Sequence, residues 1–248
     1  MSASPSYAAN ATAAVIGASG GIGGAVARQL ASDDRFGRVW ACSRTRLGSR
    51  HERIHELELD YDSHASIERA AEQVAEHGPL DLVFIATGIL HRGDDIRPEK
   101  TMGDIEGAAL AQVFAVNTIG PALVARHFLP LMRRGSKTVF AALSARVGSI
   151  ADNRLGGWVA YRASKAALNM TLKTLSIEQA RKRPDCVVVA LHPGTVATDL
   201  SEPFTGNVAD DKLFDTGRAA GQLLDVIDGL GPDDTGGFFA WDGRHIPW

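Results

Sequence analysis

The stretch from Ala13 to Ala31 constrains the fold more than any other part of the chain. Four apolar residues, Ala13-Ala14-Val15-Ile16, run directly into Gly17-Ala18-Ser19-Gly20-Gly21-Ile22-Gly23, and these into the helix-like Ala25 to Ala31. A short buried strand, a glycine turn and a helix in that order can aim backbone N–H groups and the positive end of a helix at a pyrophosphate. Gly17 permits the tight turn, Gly21 the close approach of a phosphate, and Gly23 close helix packing; Ser19 and Ile22 lie within the same turn. The spacing is GxxxGxG rather than GxGxxG, and glycines also occupy turns for steric reasons alone. The strand before the turn and the helix after it favour a dinucleotide site.

The rest of the chain repeats the strand–helix alternation. Val39 to Ala41, Leu57 to Leu59, Leu82 to Ile85, Thr138 to Ala141, Val187 to Leu191 and Phe238 to Trp241 read as strands, mostly continuous apolar runs of the kind covered on both faces. Ile67, Ala70, Ala71 and Val74 form a helical stripe, and Leu110, Val113, Phe114, Asn117, Val124, Phe128 and Leu131 a longer one. The pattern predicts an α/β fold, a single-domain Rossmann-type doubly wound parallel sheet of about seven strands flanked by helices. Residues 1–12 are expected to be a flexible tail and 13–248 one dinucleotide-binding and catalytic domain, with 201–215 placed as a substrate lid.

Bulk properties exclude several classes. The net charge of −3 supplies no field for nucleic acid. Met1 to Ala14 lacks the charged and apolar regions of a signal peptide, and no stretch reads as the ~18 apolar residues of a membrane span. Both cysteines, Cys42 and Cys186, lie in apolar runs as buried thiols. The expectation is a soluble cytoplasmic protein with neither a nucleic-acid nor a membrane partner.

At the end of the second strand, a free ribose 2′-hydroxyl would call for an acidic residue. The chain has Ser43-Arg44-Thr45-Arg46 instead. Arg44 can pair with a 2′-phosphate in two-pronged fashion, so NADP is the expected cofactor and NAD the alternative; a solvated loop with incidental arginines would read the same. Asp60 is placed to accept from the adenine amino group, or to cap the helix that follows.

Tyr161 and Lys165 stand four apart at the start of a helical run through Gln179 and share one helix face. A phenol with a pKa of about 10 is too weak a base at neutral pH, and a neighbouring ammonium is expected to lower it. Tyr161 can then exchange a proton with a carbinol oxygen while hydride moves to or from a nicotinamide. Asn117 is the polar exception on an apolar stripe, and Pro121, lacking an N–H, frees the Asn117 carbonyl to hold a water. A helix bent for packing alone is the other reading.

Gly17, Gly21 and Gly23, Asn117, Tyr161 with Lys165, and Pro193-Gly194-Thr195-Val196 together resemble the short-chain dehydrogenase/reductase family over nearly the whole chain. LSARVGSI (Leu143 to Ile150), Gly156 to Met170, Leu191 to Leu200 and the ending WDGRHIPW resemble more narrowly its branch of C-factor (C-signal) and sniffer-like carbonyl reductases. The resemblance implies hydride transfer to a small carbonyl or from an alcohol, with Tyr161 as acid/base, Lys165 on the nicotinamide ribose and Asn117 in a proton relay. It places Pro193, Gly194, Val196 and Thr198 at the nicotinamide end, and implies a homodimer or homotetramer through the helices around Leu110 to Met132 and Trp158 to Gln179. Where the family carries Asn-Asn-Ala-Gly, this chain has Ile85-Ala86-Thr87-Gly88, so Ala86, Thr87 and Gly88 are assigned to support of the nucleotide. The usual spacing of the catalytic serine lands on Gly148, so the segment 144–161 holds an insertion. Ser144 is the choice for that serine and Ser149 the alternative.

His51-Glu52-Arg53-Ile54-His55 matches a zinc-site pattern that works only on a helix. It lies between two strands, so no metal is expected. A nucleotide-binding signalling protein of the C-factor type with little turnover is the competing function.

Overall fold

In the computed structural model of the chain, residues 7–93, 95–204 and 213–248 are described. In chain order the first half holds β1 (Ala11–Ile16), α1 (Gly21–Ser32), β2 (Phe36–Ser43), β3 (Ile54–Glu58), α2 (His64–Ala75), β4 (Leu82–Ile85) and α3 (Gly107–Phe114). The second holds α4 (Gly120–Phe128), β5 (Thr138–Leu143), α5 (Val159–Lys182), β6 (Cys186–His192), β7 (Thr195–Val196), β8 (Leu213–Phe214), α6 (Thr216–Gly229) and β9 (Phe238–Ala240).

Seven strands form one sheet in the order β3-β2-β1-β4-β5-β6-β9, every neighbouring pair parallel. Successive side chains of a strand point to opposite faces. Ala14 and Ile16 of β1 and Phe140 of β5 therefore pack beneath α2, α4 and α5, whereas Ala13, Val15 and Ala141 pack beneath α1 and α6. Strand order reverses at β1, which opens a crevice beyond the carboxyl ends of β1 and β4, the position where ligands enter sheets of this kind. The amino end of β4 is pinned by Asp81, a fully buried carboxylate. It accepts from the Thr12 amide at 2.8 Å and from Arg133 Nε and Nη2 at 2.6 and 2.9 Å.

Three expectations are corrected. The tail does not extend to residue 12: β1 begins at Ala11, and Tyr7 is buried against Phe36 with ring centroids 5.2 Å apart. A run long and apolar enough for a membrane span does exist within the 25 residues Gly107–Leu131, 18 of which in succession have a mean hydropathy of 1.6. Its Val124, Ala125 and Phe128 are buried in the core under the sheet, and a π-turn over Ala115–Ile119 divides it. The segment 201–215, placed as a substrate lid, is built into the fold at both described ends: Glu202–Phe204 make a 3-10 turn, Leu213–Phe214 pair with β7, and Asp215 caps α6 by accepting from the Arg218 amide at 2.7 Å. Residues 205–212 of the expected lid lie outside the described residues. Phe214 packs edge-on against Trp241, with ring centroids 4.8 Å apart, in a small buried cluster.

Candidate functional site

The glycine turn is built to bring backbone close to backbone. Gly17 has φ +87°, a left-handed conformation that favours glycine, and the amides of Gly17 and Ala18 both donate to the Cys42 carbonyl, at 2.9 and 3.1 Å. A Cβ on Gly23 would stand 2.2 Å from the Gly17 carbonyl oxygen, so α1 starts against the turn only because residue 23 has no side chain. A Cβ on Gly21 would meet Thr216 and Thr198 at 2.9 and 3.1 Å, which places Thr198 at the mouth of the turn. The amino end of α1 has no side-chain cap and no acidic residue in its first turn. Free N–H groups and an uncompensated positive helix end fit a pyrophosphate. A cleft of about 440 Å³ lined by Ser19, Gly20, Gly21, Arg28 and Ser49 opens beside it.

A second cleft, about 430 Å³, is lined by Ser43, Arg44, Thr45, Arg46, Glu58 and Gln73 among others. Arg44 and Arg46 are exposed there, with donors suited to a phosphate. The Glu56 carboxylate in the same wall is engaged, accepting from the Leu47 and Ser49 amides at 2.9 and 2.6 Å. The Ser43 hydroxyl donates to the Thr45 carbonyl at 2.5 Å and so shapes the arginine turn. Asp60 does not cap α2; the Ser63 hydroxyl does, accepting from the Ser66 amide at 3.2 Å. The Asp60 carboxylate accepts from the Asp62 amide at 3.1 Å.

Around Tyr161 the chain converges from three elements. Tyr161 and Lys165 lie on the buried face of α5, 8% and 3% exposed. Lys165 Nζ donates to the Leu143 carbonyl at the end of β5, 2.8 Å away, and stands 5.8 Å from the Tyr161 ring centroid. From the helical run of α3 and α4, the Asn117 side chain accepts from the Ile89 amide at 2.8 Å and donates to the Ile89 carbonyl at 2.9 Å. It also donates to the Ser164 hydroxyl at 3.0 Å, which donates in turn to the Tyr161 carbonyl at 2.8 Å. A Cβ on Gly88 would lie 3.4 Å from Lys165 Nζ and 3.5 Å from Asn117 Oδ1, so the loop after β4 closes directly over both. Thr87 is held by a 2.9 Å bond to the Tyr61 hydroxyl.

Electrostatics here reverse one expectation. Burial pushes the Tyr161 phenol well above its ordinary value instead of the ammonium drawing it down. Burial also lowers Lys165 to about 8. The physical reason is that both groups are desolvated while the ammonium turns to the Leu143 carbonyl. The structure gives a protonated phenol beside a lysine that is mostly charged at neutral pH.

The profile of the short chain dehydrogenase family matches residues 11–208 of this sequence. The chain belongs to the short-chain dehydrogenase/reductase family. Among curated relatives, C-signal of Myxococcus xanthus is 40% identical over 172 residues, 69% of this chain and 94% of the relative. Among solved structures, the NADPH-bound carbonyl reductase from chicken fatty liver superposes with a TM-score of 0.84 at 27% identity, covering 99% of this chain and 96% of that one. The carbonyl reductase Sniffer of D. melanogaster gives 0.82 at 26%, covering 97% and 100%. As a short-chain dehydrogenase/reductase the chain is an oxidoreductase with a nicotinamide cofactor, and the uncapped amino end of α1 fits that group.

Within this family fold, Asn117, Tyr161, Lys165 and Gly88 come together, and Thr198 joins the glycine turn. The serines do not follow. The buried Ser144 hydroxyl donates to Asn169 Oδ1 at 2.6 Å, and the Ser149 hydroxyl accepts from the Asp152 amide at 3.1 Å. Among the described residues neither hydroxyl bonds Tyr161. Gly148, at the usual serine spacing, has no room for a side chain: its Cβ would meet Lys165 Cβ at 2.7 Å. His51 to His55 lies off any helix, with the His55 ring tilted against Trp40 on β3 and β2. Three contributors escaped the sequence reading. Ser164 and Asn169 carried a usable signal, being on the helix that bears Tyr161 and Lys165; Glu99, which reaches the start of that helix from 61 positions away, carried none.

Proposed function

We propose that the chain is an NADP-dependent carbonyl reductase with Tyr161 as its proton donor. The buried Tyr161–Lys165 pair beside the carboxyl ends of β4 and β5 carries this reading. Gly17, Ser19, Gly21, Ile22 and Gly23 would hold the pyrophosphate, Ser43 and Arg44 the 2′-phosphate, and Asp60 the adenine. Ala86, Thr87 and Gly88 would support the nucleotide, and Pro193, Gly194, Val196 and Thr198 would border its nicotinamide end. When bound, the cofactor supplies the hydride.

The residues of the chain do the rest. A phenol kept protonated by burial is loaded to donate to the carbonyl oxygen as the carbinol forms. Lys165 keeps positive charge 5.8 Å from the centre of the phenol ring that is losing its proton. Asn117 fixes the Ile89 backbone and, through Ser164, the first turn of α5, which orients the pair. Ser144 is the proposed substrate-side hydroxyl, and it must turn from Asn169 to serve. Exposed apolar residues nearby in the chain, Ile150 and Leu155, favour aldehydes and ketones with an apolar substituent. A homodimer or homotetramer is proposed through α4 and α5, where Ile119 beside α4 and Met170 and Ile177 on α5 are exposed.

The 40% identity to C-signal favours one second reading, a nucleotide-binding signalling protein with little turnover. Oxidation of NADPH and NADH against a panel of aldehydes, ketones and diketones separates the two. Turnover with NADPH supports the reductase; tight NADPH binding with no turnover on any carbonyl supports the signalling protein.

A further inference from the structure

The helix that carries Tyr161 and Lys165 begins in an unusual way. Gly156, Gly157 and Trp158 have φ of +65°, +67° and +53°, three left-handed residues in succession. For tryptophan this conformation is costly. Trp158 is also the N-cap of α5 and makes no side-chain cap, since an indole only donates. A helix start of this kind leaves N–H groups that an Asp, Asn, Ser or Thr at the cap would ordinarily satisfy.

Glu99 fills that gap from the loop after β4. It is 4% exposed. Its two carboxylate oxygens accept from the Ala160 amide at 3.1 and 3.2 Å, and its backbone carbonyl accepts from the Trp158 amide at 2.6 Å. Ala160 is the second helical residue, the one an N-cap side chain serves. A buried anion at the positive end of a helix is also electrostatically favoured there. Arg162 grips the same turn from the other side, its Nε donating to the Gly156 and Gly157 carbonyls at 3.1 and 2.9 Å.

We propose that Glu99 is a positioning residue for the reaction: it caps α5 in place of Trp158 and thereby fixes where Tyr161, one residue beyond Ala160, stands. This rests on Tyr161 being the proton donor. Because Glu99 sits on the loop after β4, the same contact ties that loop to the proton donor.

The test compares Glu99→Ala, Glu99→Asp and Glu99→Gln in the full-length protein, with steady-state kinetics and amide hydrogen exchange over residues 160–164. Glutamine keeps an acceptor at the same reach; alanine removes it and aspartate withdraws it. Glu99→Ala is expected to lower kcat roughly tenfold or more with the KM for NADPH held within about twofold. Its protection at the start of α5 should fall about fivefold while the remaining amides keep theirs. Glu99→Gln should restore both, and Glu99→Asp should not. Should the alanine variant fail to fold, the Gln and Asp pair decides. Equal kcat and equal protection in those two, or an alanine variant with wild-type kcat and protection, overturns the proposal. A wild-type protein inactive on every carbonyl would instead defeat the reductase reading, and the exchange data would still report on the cap.

Discussion

The Lys165 ammonium donates to the Leu143 carbonyl at 2.8 Å, inside a region where the lysine is only 3% exposed. One backbone carbonyl compensates little of the cost of burying a charge, and the lysine pKa falls to about 8. The folded protein therefore holds fewer protons than the unfolded chain between about pH 8 and 10.5, the ordinary value. Stability contributed through this group rises as pH climbs through that window. Lys165→Met removes the buried charge and should raise stability at pH 7 by about 3 kcal/mol. The gain should shrink above pH 8 and be largely gone by pH 10. Urea denaturation of both proteins at several pH values checks this; a gain that does not change with pH would contradict it.

Arg44 stands exposed at the cleft beyond β2, and the strand ends in Ser43 where binding of a free ribose hydroxyl would call for an acidic residue. Arg44→Ala should raise the KM for NADPH about tenfold, the loss of one charge-assisted contact, and leave that for NADH unchanged. Initial-rate kinetics with both cofactors read this directly. Equal effects on the two would move the 2′-phosphate contact elsewhere.

Asp81 supports the other end of β4, bonded to the Thr12 amide and to Arg133. Asp81→Ala leaves both donors without their acceptor and should cost about 3 kcal/mol. For a chain of this size that lowers the Tm by about 10 °C. NADPH affinity of the folded fraction should be unaltered, because the change lies at the amino ends of β1 and β4 and the glycine turn at the carboxyl end of β1. Thermal unfolding with and without NADPH separates the two effects.

Much of this architecture is legible in the residues themselves. The runs at Leu82 to Ile85 and Val187 to Leu191 are buried on both faces, so their apolar continuity marks them as central parallel strands. Gly17 and Gly23 are legible because geometry demands them. The sign of the Tyr161 shift was not, since it depends on how completely α5 buries the phenol and where Lys165 turns. The partner of the Ser144 hydroxyl was not legible for a similar reason: Asn169 lies on the next turn of helix beyond Lys165, a contact that packing alone decides. Two-residue strands such as Leu213–Phe214 carry too little pattern to stand out from a loop. Glu99 lies further still from any local signal, because nothing near residue 99 tells that its carboxylate closes a helix starting at Val159.

The most direct test of the account is single-turnover reduction of the best carbonyl substrate by NADPH-loaded wild type and Tyr161→Phe, alongside NADPH binding to each. Removing one hydroxyl from a buried proton donor should slow the chemical step about a thousandfold while leaving NADPH affinity within about twofold. A phenylalanine variant that reduces the substrate at the wild-type rate would contradict the assignment of Tyr161 as the proton donor.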